Sequence, residues 1–132
     1  MDLAALNELL KLKLIRERGL RYKLSTIDRR EAALTEERRR SLESQVELRV
    51  ERDALFTSQR VVEPGTFKTL KYQLARLYEQ DRAAGERVVE IHADLQGCQE
   101  ERRTRTAELN RNLRGQEKLT YLLGELDGRR TG

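Results

Sequence analysis

From Phe67 onward, apolar residues recur at alternating steps of three and four over eight heptads. One set of positions, seven apart, reads Phe67, Leu74, Asp81, Val88, Leu95, Arg102, Leu109, Gln116 and Leu123. The interleaved set reads Leu70, Leu77, Ala84, Ile91, Cys98, Arg105, Asn112, Leu119 and Leu126, and thirteen of the eighteen positions are apolar. A 3.5-residue repeat of this length specifies a helix with one sticky seam, the pattern of a coiled coil. The polar positions cluster between Arg102 and Gln116, so the seam is expected to be loosest there.

The first half carries a weaker copy. Leu6, Lys13, Leu20, Ile27, Leu34, Ser41, Leu48 and Leu55 form one set, with six of eight apolar. The interleaved set, Leu3, Leu10, Glu17, Leu24, Glu31, Arg38, Gln45 and Arg52, has three. Such a narrow stripe can pack on one partner helix but cannot build a layered core. Leu, Arg, Glu, Ala and Lys dominate the chain, aromatics make up 5%, and there is no Trp, a profile of long helices rather than of a globule. The sustained apolar period argues against disorder.

Between the halves lies VVEPGTF, Val61 to Phe67, with the only proline of the 132 residues. Pro64 lacks a backbone donor, Gly65 tolerates positive φ, and Thr66 can cap a following helix. Together they predict an all-α fold, a long antiparallel two-helix coiled-coil hairpin. Helix 1 is expected over about 2–60, a turn over 61–66, helix 2 over about 67–126 and a frayed tail over 127–132. Each arm would be roughly 85 Å long at 1.5 Å per residue. Gly19, Gly85, Gly97, Gly115 and Gly124 interrupt the helices, as tolerated surface glycines or as hinges. With so little core per residue, the hairpin is a loosely held monomer or a dimer that completes its core.

The net charge of +4 is unevenly spread. Residues 11–30 hold eight Lys/Arg against two Asp/Glu, and residues 102–118 hold six against two. Folding back at Pro64 would put these segments side by side at a basic open end, leaving the bend mildly acidic. The excess is either a solvated face or a means of docking on an acidic partner. Nucleic acid is not expected as that partner, because no stacking platform or recognition module accompanies the charge.

Chemistry is sparse. His92 has no Cys or His at metal-ligand spacing, and Cys98 occupies a seam position as a small hydrophobe. No phosphate loop or nucleophile motif occurs, so neither an enzyme nor a cofactor is expected. No apolar run approaches the roughly 20 residues of a membrane span. The start, MDLAALNELLKLK, is acidic then basic, the reverse of a secretory signal, and a cytoplasmic protein is expected.

Several apolar residues lie off the seam. Leu9, Leu12, Leu14 and Ile15 leave the first helix apolar nearly all round. They either meet a partner or are covered by Tyr121, Leu122 and Leu123. Phe56 and Phe67, with Tyr72 and Tyr78, concentrate aromatics near the bend. Clusters of this kind read as contact sites or as caps on the tips. The candidate contact set at the open end is Leu9, Leu12, Ile15, Arg16, Arg18, Arg21, Arg111, Arg114 and Tyr121. The set at the bend is Phe56, Phe67, Tyr72 and Tyr78.

The N-terminal stretch LNELLKLKLIRERGLRYKL, Leu6 to Leu24, in a short, charged, all-helical hairpin, resembles the stalk proteins of type III export. These are FliJ of flagella and the YscO/HrpO group of virulence injectisomes, the latter being the nearer resemblance. The likeness extends over essentially the whole chain and rests on length, layout and the N-terminal pattern. It implies a central stalk whose open end enters the export ATPase hexamer and whose remainder reaches the cytoplasmic ring of the export gate. It also implies secretion chaperones as further partners and a position in the cytoplasm, peripheral to the apparatus at the inner membrane. The alternative is a general cytosolic coiled-coil adaptor or tether without an ATPase partner.

Overall fold

The computed structural model describes residues 2–58 and 64–131, and they form two helices, α1 (Leu3–Ser58) and α2 (Pro64–Thr131). The described residues contain no strand, and the two helices pack on each other as an all-α hairpin. Asp2 starts α1. Its Oδ1 accepts from the Ala5 amide at 2.7 Å and its carbonyl from Leu6, so it satisfies a donor that the first turn cannot.

The expected boundaries of α2 need correcting at both ends. The helix begins at Pro64, three residues before the expected Phe67, and Thr66 is its third residue rather than its cap. Proline suits the first helical position, where its missing amide would have had no partner. Residues 61–63 of the expected turn lie outside the described residues, as do residues 59 and 60 of the expected first helix. At the other end α2 continues through 127–131, where a frayed tail was expected. A glycine ends a helix most readily by turning into positive φ. No described glycine does so, Gly65 and Gly128 included.

The chain divides into two compact units. Unit 1 is Met1–Arg30 with Gly97–Gly132, and unit 2 is Glu31–Gln96. In unit 1 the seam buries Leu6, Leu20 and Ile27 of α1 with Cys98, Leu109, Asn112 and Leu119 of α2. In unit 2 it buries Leu34 with Leu70, Leu77 and Ile91, the last fully enclosed at 0% exposure. The other heptad positions are half-buried, with one exception. Phe67, placed on the seam by its spacing, is 57% exposed and packs into neither helix's stripe.

The polar seam positions meet one another. In unit 1, Gln116 Nε2 donates to Glu17 Oε1 at 2.8 Å and to Asn112 Oδ1 at 2.7 Å. Here the seam was expected to be loose, yet Leu109 and Asn112 are buried, Asn112 at 5% exposure. The bond from Gln116 to Glu17 bridges the interruption, while the buried Asn112 Nδ2 finds no partner among the described residues. In unit 2, Gln45 Nε2 donates to the Asp81 carbonyl at 3.3 Å, joining two further positions that break the apolar pattern.

Gly85 and Gly115 take part in these crossings. A Cβ at residue 85 would lie 2.9 Å from Gln45 Nε2, and one at 115 would lie 2.8 Å from Lys13 Cε. A helical side chain leans over the turn that precedes it, so its absence at 85 leaves the Asp81 carbonyl open to the facing amide. These two glycines are not idle surface residues. They are places where a polar side chain of α1 lies across α2.

Two measurements follow. Replacing Ile91 by Ala should cost about 2–5 kcal/mol in urea unfolding, whereas Phe67→Ala should stay within about 0.5 kcal/mol. Equal midpoints would contradict the seam as described. Gly97→Ala, with nothing near its new methyl, should gain about 1 kcal/mol from helix propensity. Gly85→Ala should gain less, because it displaces the Gln45 amide from a hydrogen bond worth about 0.5–1.5 kcal/mol.

Candidate functional site

All nine candidate residues of the open-end set fall in unit 1, and all nine are exposed. Among the aliphatic ones Leu12 and Ile15 stand out most, at 62% and 64%. Covering by the C-terminal segment, one of the two expectations for them, is not what the structure shows. Tyr121 and Leu122 are themselves exposed, and only Leu123 turns into the seam, half-buried. Tyr121 edges two shallow depressions of α2, one with Leu113, Thr120 and Gly124, the other with Leu122, Leu126 and Leu6 of α1.

The basic candidates divide by their surroundings. Arg16 and Arg111, drawn from different helices, line one open cleft with Lys13, Leu20, Glu108 and Asn112. Arg18 is exposed beside Glu17 on the outside of α1. Arg21 is engaged, its Nε donating to Glu17 Oε2 at 2.9 Å. It therefore offers an incoming partner less free charge than Arg16 or Arg18. Unit 1 as a whole holds sixteen Lys/Arg against ten Asp/Glu, and unit 2 eleven against thirteen.

The four aromatics of the bend set all belong to unit 2 and are exposed. Phe56 and Tyr78 sit on α1 and α2 respectively, with Phe67 and Tyr72 also on α2. Leu42, Val46, Val50 and Val89 add exposed apolar surface to this unit. Spacing alone did not single them out, because an isolated valine on a charged helix carries no signal. Tyr22 in unit 1 was missed too, although it lies seven residues after Ile15 on the same face.

Interhelical ion pairs brace each unit from its flanks. Arg87 grips Glu37 through both guanidinium edges, Nε to Oε1 at 2.6 Å and Nη2 to Oε2 at 2.8 Å. That two-pronged bond holds the Glu37 carboxyl below its ordinary value of 4.5. In unit 1, Arg102 Nη2 donates to Asp28 Oδ1 at 2.8 Å. Glu17 is likewise lowered, first by the Gln116 amide and then by Arg21. Glu36, bonded by Arg39 and Arg40 along α1, falls to about 2.

Among the described residues no group of three His, Cys, Asp or Glu could hold a metal ion, and His92 is exposed. Cys98 is a free thiol buried in the seam. No described helix is long and apolar enough to cross a membrane. Compared with protein-family models, curated proteins and solved structures, the chain matches none.

The lowered carboxylates make stability depend on acidity in a defined sense. A carboxyl whose folded pKa is depressed stabilises the fold fully above its unfolded value, near 4.5, and loses that effect as pH falls through the lowered value. Wild-type protein should therefore melt higher than Glu37→Gln at about pH 7, and the gap should close by about pH 2. Melting curves monitored by circular dichroism across that range would test this. A gap that persists in acid would mean that Glu37 acts through packing and not through its charge.

Proposed function

We propose that the protein is the central stalk of a type III secretion export apparatus of the injectisome kind, coupling the export ATPase ring to the export gate. The observation that carries this reading is the distribution of its exposed side chains. Unit 1 offers Leu9, Leu12, Ile15 and Tyr121 together with Arg16, Arg18, Arg111 and Arg114, none of which is buried in the hairpin. Apolar anchors ringed by cations suit a partner lined with acidic and apolar groups. The exposed aromatics of unit 2, Phe56, Phe67, Tyr72 and Tyr78, suit a second partner, assigned here to the gate. Secretion chaperones are further partners on this reading. The protein acts without a cofactor or a catalytic step of its own, in the cytoplasm at the inner membrane.

The N-terminal pattern LNELLKLKLIRERGLRYKL supports the assignment through its resemblance to the stalk proteins. The competing reading, an adaptor or tether unconnected with an ATPase, predicts the same hairpin but a different partner.

Reconstitution with an export ATPase of the type III kind separates the two. The stalk reading expects complex formation and a change in hexamer assembly or ATP hydrolysis. Charge reversal by Arg16→Glu with Arg18→Glu should weaken binding by about tenfold or more at low salt, since rim charges act chiefly through long-range attraction. Arg21 is better left in place, because a carboxylate there would also repel Glu17. No complex at micromolar concentrations would leave the adaptor reading standing.

A further inference from the structure

The face of α1 turned away from the seam carries a second heptad pattern. Leu12, Ile15, Gly19, Tyr22 and Thr26 follow one another at steps of three, four, three and four. None of them packs on α2. Leu12, Ile15 and Tyr22 are 62%, 64% and 68% exposed, and a Cβ at Gly19 would meet nothing within 4 Å. The Thr26 hydroxyl is spent on the Tyr22 carbonyl of its own helix, at 3.1 Å. This is a two-heptad stripe of the width of a coiled-coil seam, with a small residue at its centre where another backbone can come close.

The residues that border the stripe carry its specificity. In a helix pair the positions on either side of the seam face the partner's matching positions and select it by charge. Around this stripe there are six such positions, and five are cationic: Lys11, Arg16, Arg18, Lys23 and Arg30, with Ser25 the sixth. All are exposed. Lys11 is paired at 3.4 Å with Glu8, which lies at the stripe's edge. The other four make no ion pair among the described residues. Four of these five flanking cations thus form no ion pair on their own helix, and a partner can supply the anions.

We infer that this face of α1 docks an acidic amphipathic helix of a partner protein, with apolar residues on its own seam and Glu or Asp on both sides of it. A second copy of the same face is a poor occupant, because it would set cation against cation in either orientation. A lipid surface would need a broad apolar face, whereas only three large apolar side chains fall in this stripe. Nucleic acid would set its phosphates over Leu12, Ile15 and Tyr22, the part of the face that carries no charge. The face includes Leu12, Ile15, Arg16 and Arg18, so the inference deepens the ATPase assignment and rests on it for the identity of the protein that carries the helix.

The test uses the full chain and a labelled synthetic helix of four heptads, with Leu at the seam positions and Glu at every flanking position. Repulsion among its own glutamates disfavours pairing with itself. Fluorescence anisotropy should show saturable binding that weakens about tenfold or more in Ile15→Ser with Tyr22→Ser, and likewise in Arg16→Glu with Lys23→Glu. These side chains are exposed, and unchanged circular dichroism would show that the hairpin persists in each variant. The charge-reversed variant should instead prefer a helix flanked by Lys. Absence of binding, equal binding of the Glu-flanked and Lys-flanked helices, or insensitivity to both variants would overturn the inference. So would tighter binding, with the same sensitivity, to phosphatidylserine vesicles or duplex DNA, or self-association of the chain through these residues. If the ATPase binds and the acidic helix does not, the inference fails while the stalk reading stands. If the acidic helix binds and the ATPase does not, the stalk reading fails alone.

Discussion

The register between α1 and α2 is the constraint on which the rest of the hairpin depends, and polar residues set it. An apolar seam with a seven-residue repeat is nearly indifferent to a shift of one heptad. Each leucine simply meets the next leucine. The positions that break the pattern remove that freedom. In unit 1, Glu17 meets Gln116, and a slip of seven residues would set it against Leu109 or Leu123. In unit 2, Gln45 meets the Asp81 carbonyl that Gly85 leaves uncovered, and the same slip would set Tyr78 or His92 in the glycine's place. A half-buried carboxylate or amide deprived of its partner in this way loses its hydrogen bond and regains no water, a cost of about 1–3 kcal/mol per group. Buried polar seam residues serve the same end in coiled coils generally, trading some stability for a single alignment.

This explains which parts of the fold were legible beforehand. The repeat identified the face of each helix correctly. Leu6, Leu20, Ile27, Leu70, Leu77, Ile91, Cys98 and Leu119 are buried where their spacing put them. What a repeat cannot convey is the partner of each position, because that depends on the register. Hence Arg102 to Gln116 read as a weak stretch, although Gln116 and Asn112 are bonded within it. Gly85 and Gly115 were equally opaque. Their roles depend on Gln45 and Lys13, 40 and about 100 residues away in sequence. The ends of α2 were missed for a local reason. Proline and glycine were read as breaks, whereas proline is well suited to a first helical turn and glycine stops a helix only when it adopts positive φ.

The exposed surfaces have the same origin. Two helices that share one narrow seam can bury only a quarter or so of each circumference, and every apolar residue outside that arc stays in water. For a chain selected only to fold, those positions would be charged. Here Leu12, Ile15, Tyr22 and Tyr121 in unit 1 and Phe56, Tyr72 and Tyr78 in unit 2 stand on the outside. Their exposure costs solubility and returns nothing to the fold. The candidate contact residues could be named early because each, Phe67 apart, is surplus to a seam that is easy to count. Tyr22 escaped notice because one aromatic on a charged helix becomes informative only beside its neighbours at the same spacing.

The separation of the two faces of α1 has an energetic consequence. Gly19 and Leu20 are adjacent in sequence, yet one faces open space and the other is buried against α2. Arg16 and Arg18 flank the outer stripe, while Glu17 between them reaches into the polar layer of the seam. A partner that neutralises the outer cations therefore approaches without displacing a residue that sets the register. Changes at Leu12, Ile15 and Tyr22 should add to changes in the seam, since these side chains stand away from it. The exception is the pair Glu17 and Arg21. Arg21 lends its charge to a seam carboxylate, so a ligand that recruits Arg21 must draw it away from Glu17. Arg18, whose charge also lowers the Glu17 carboxyl, adds a weaker link of the same kind, and through these residues binding outside and alignment inside are coupled.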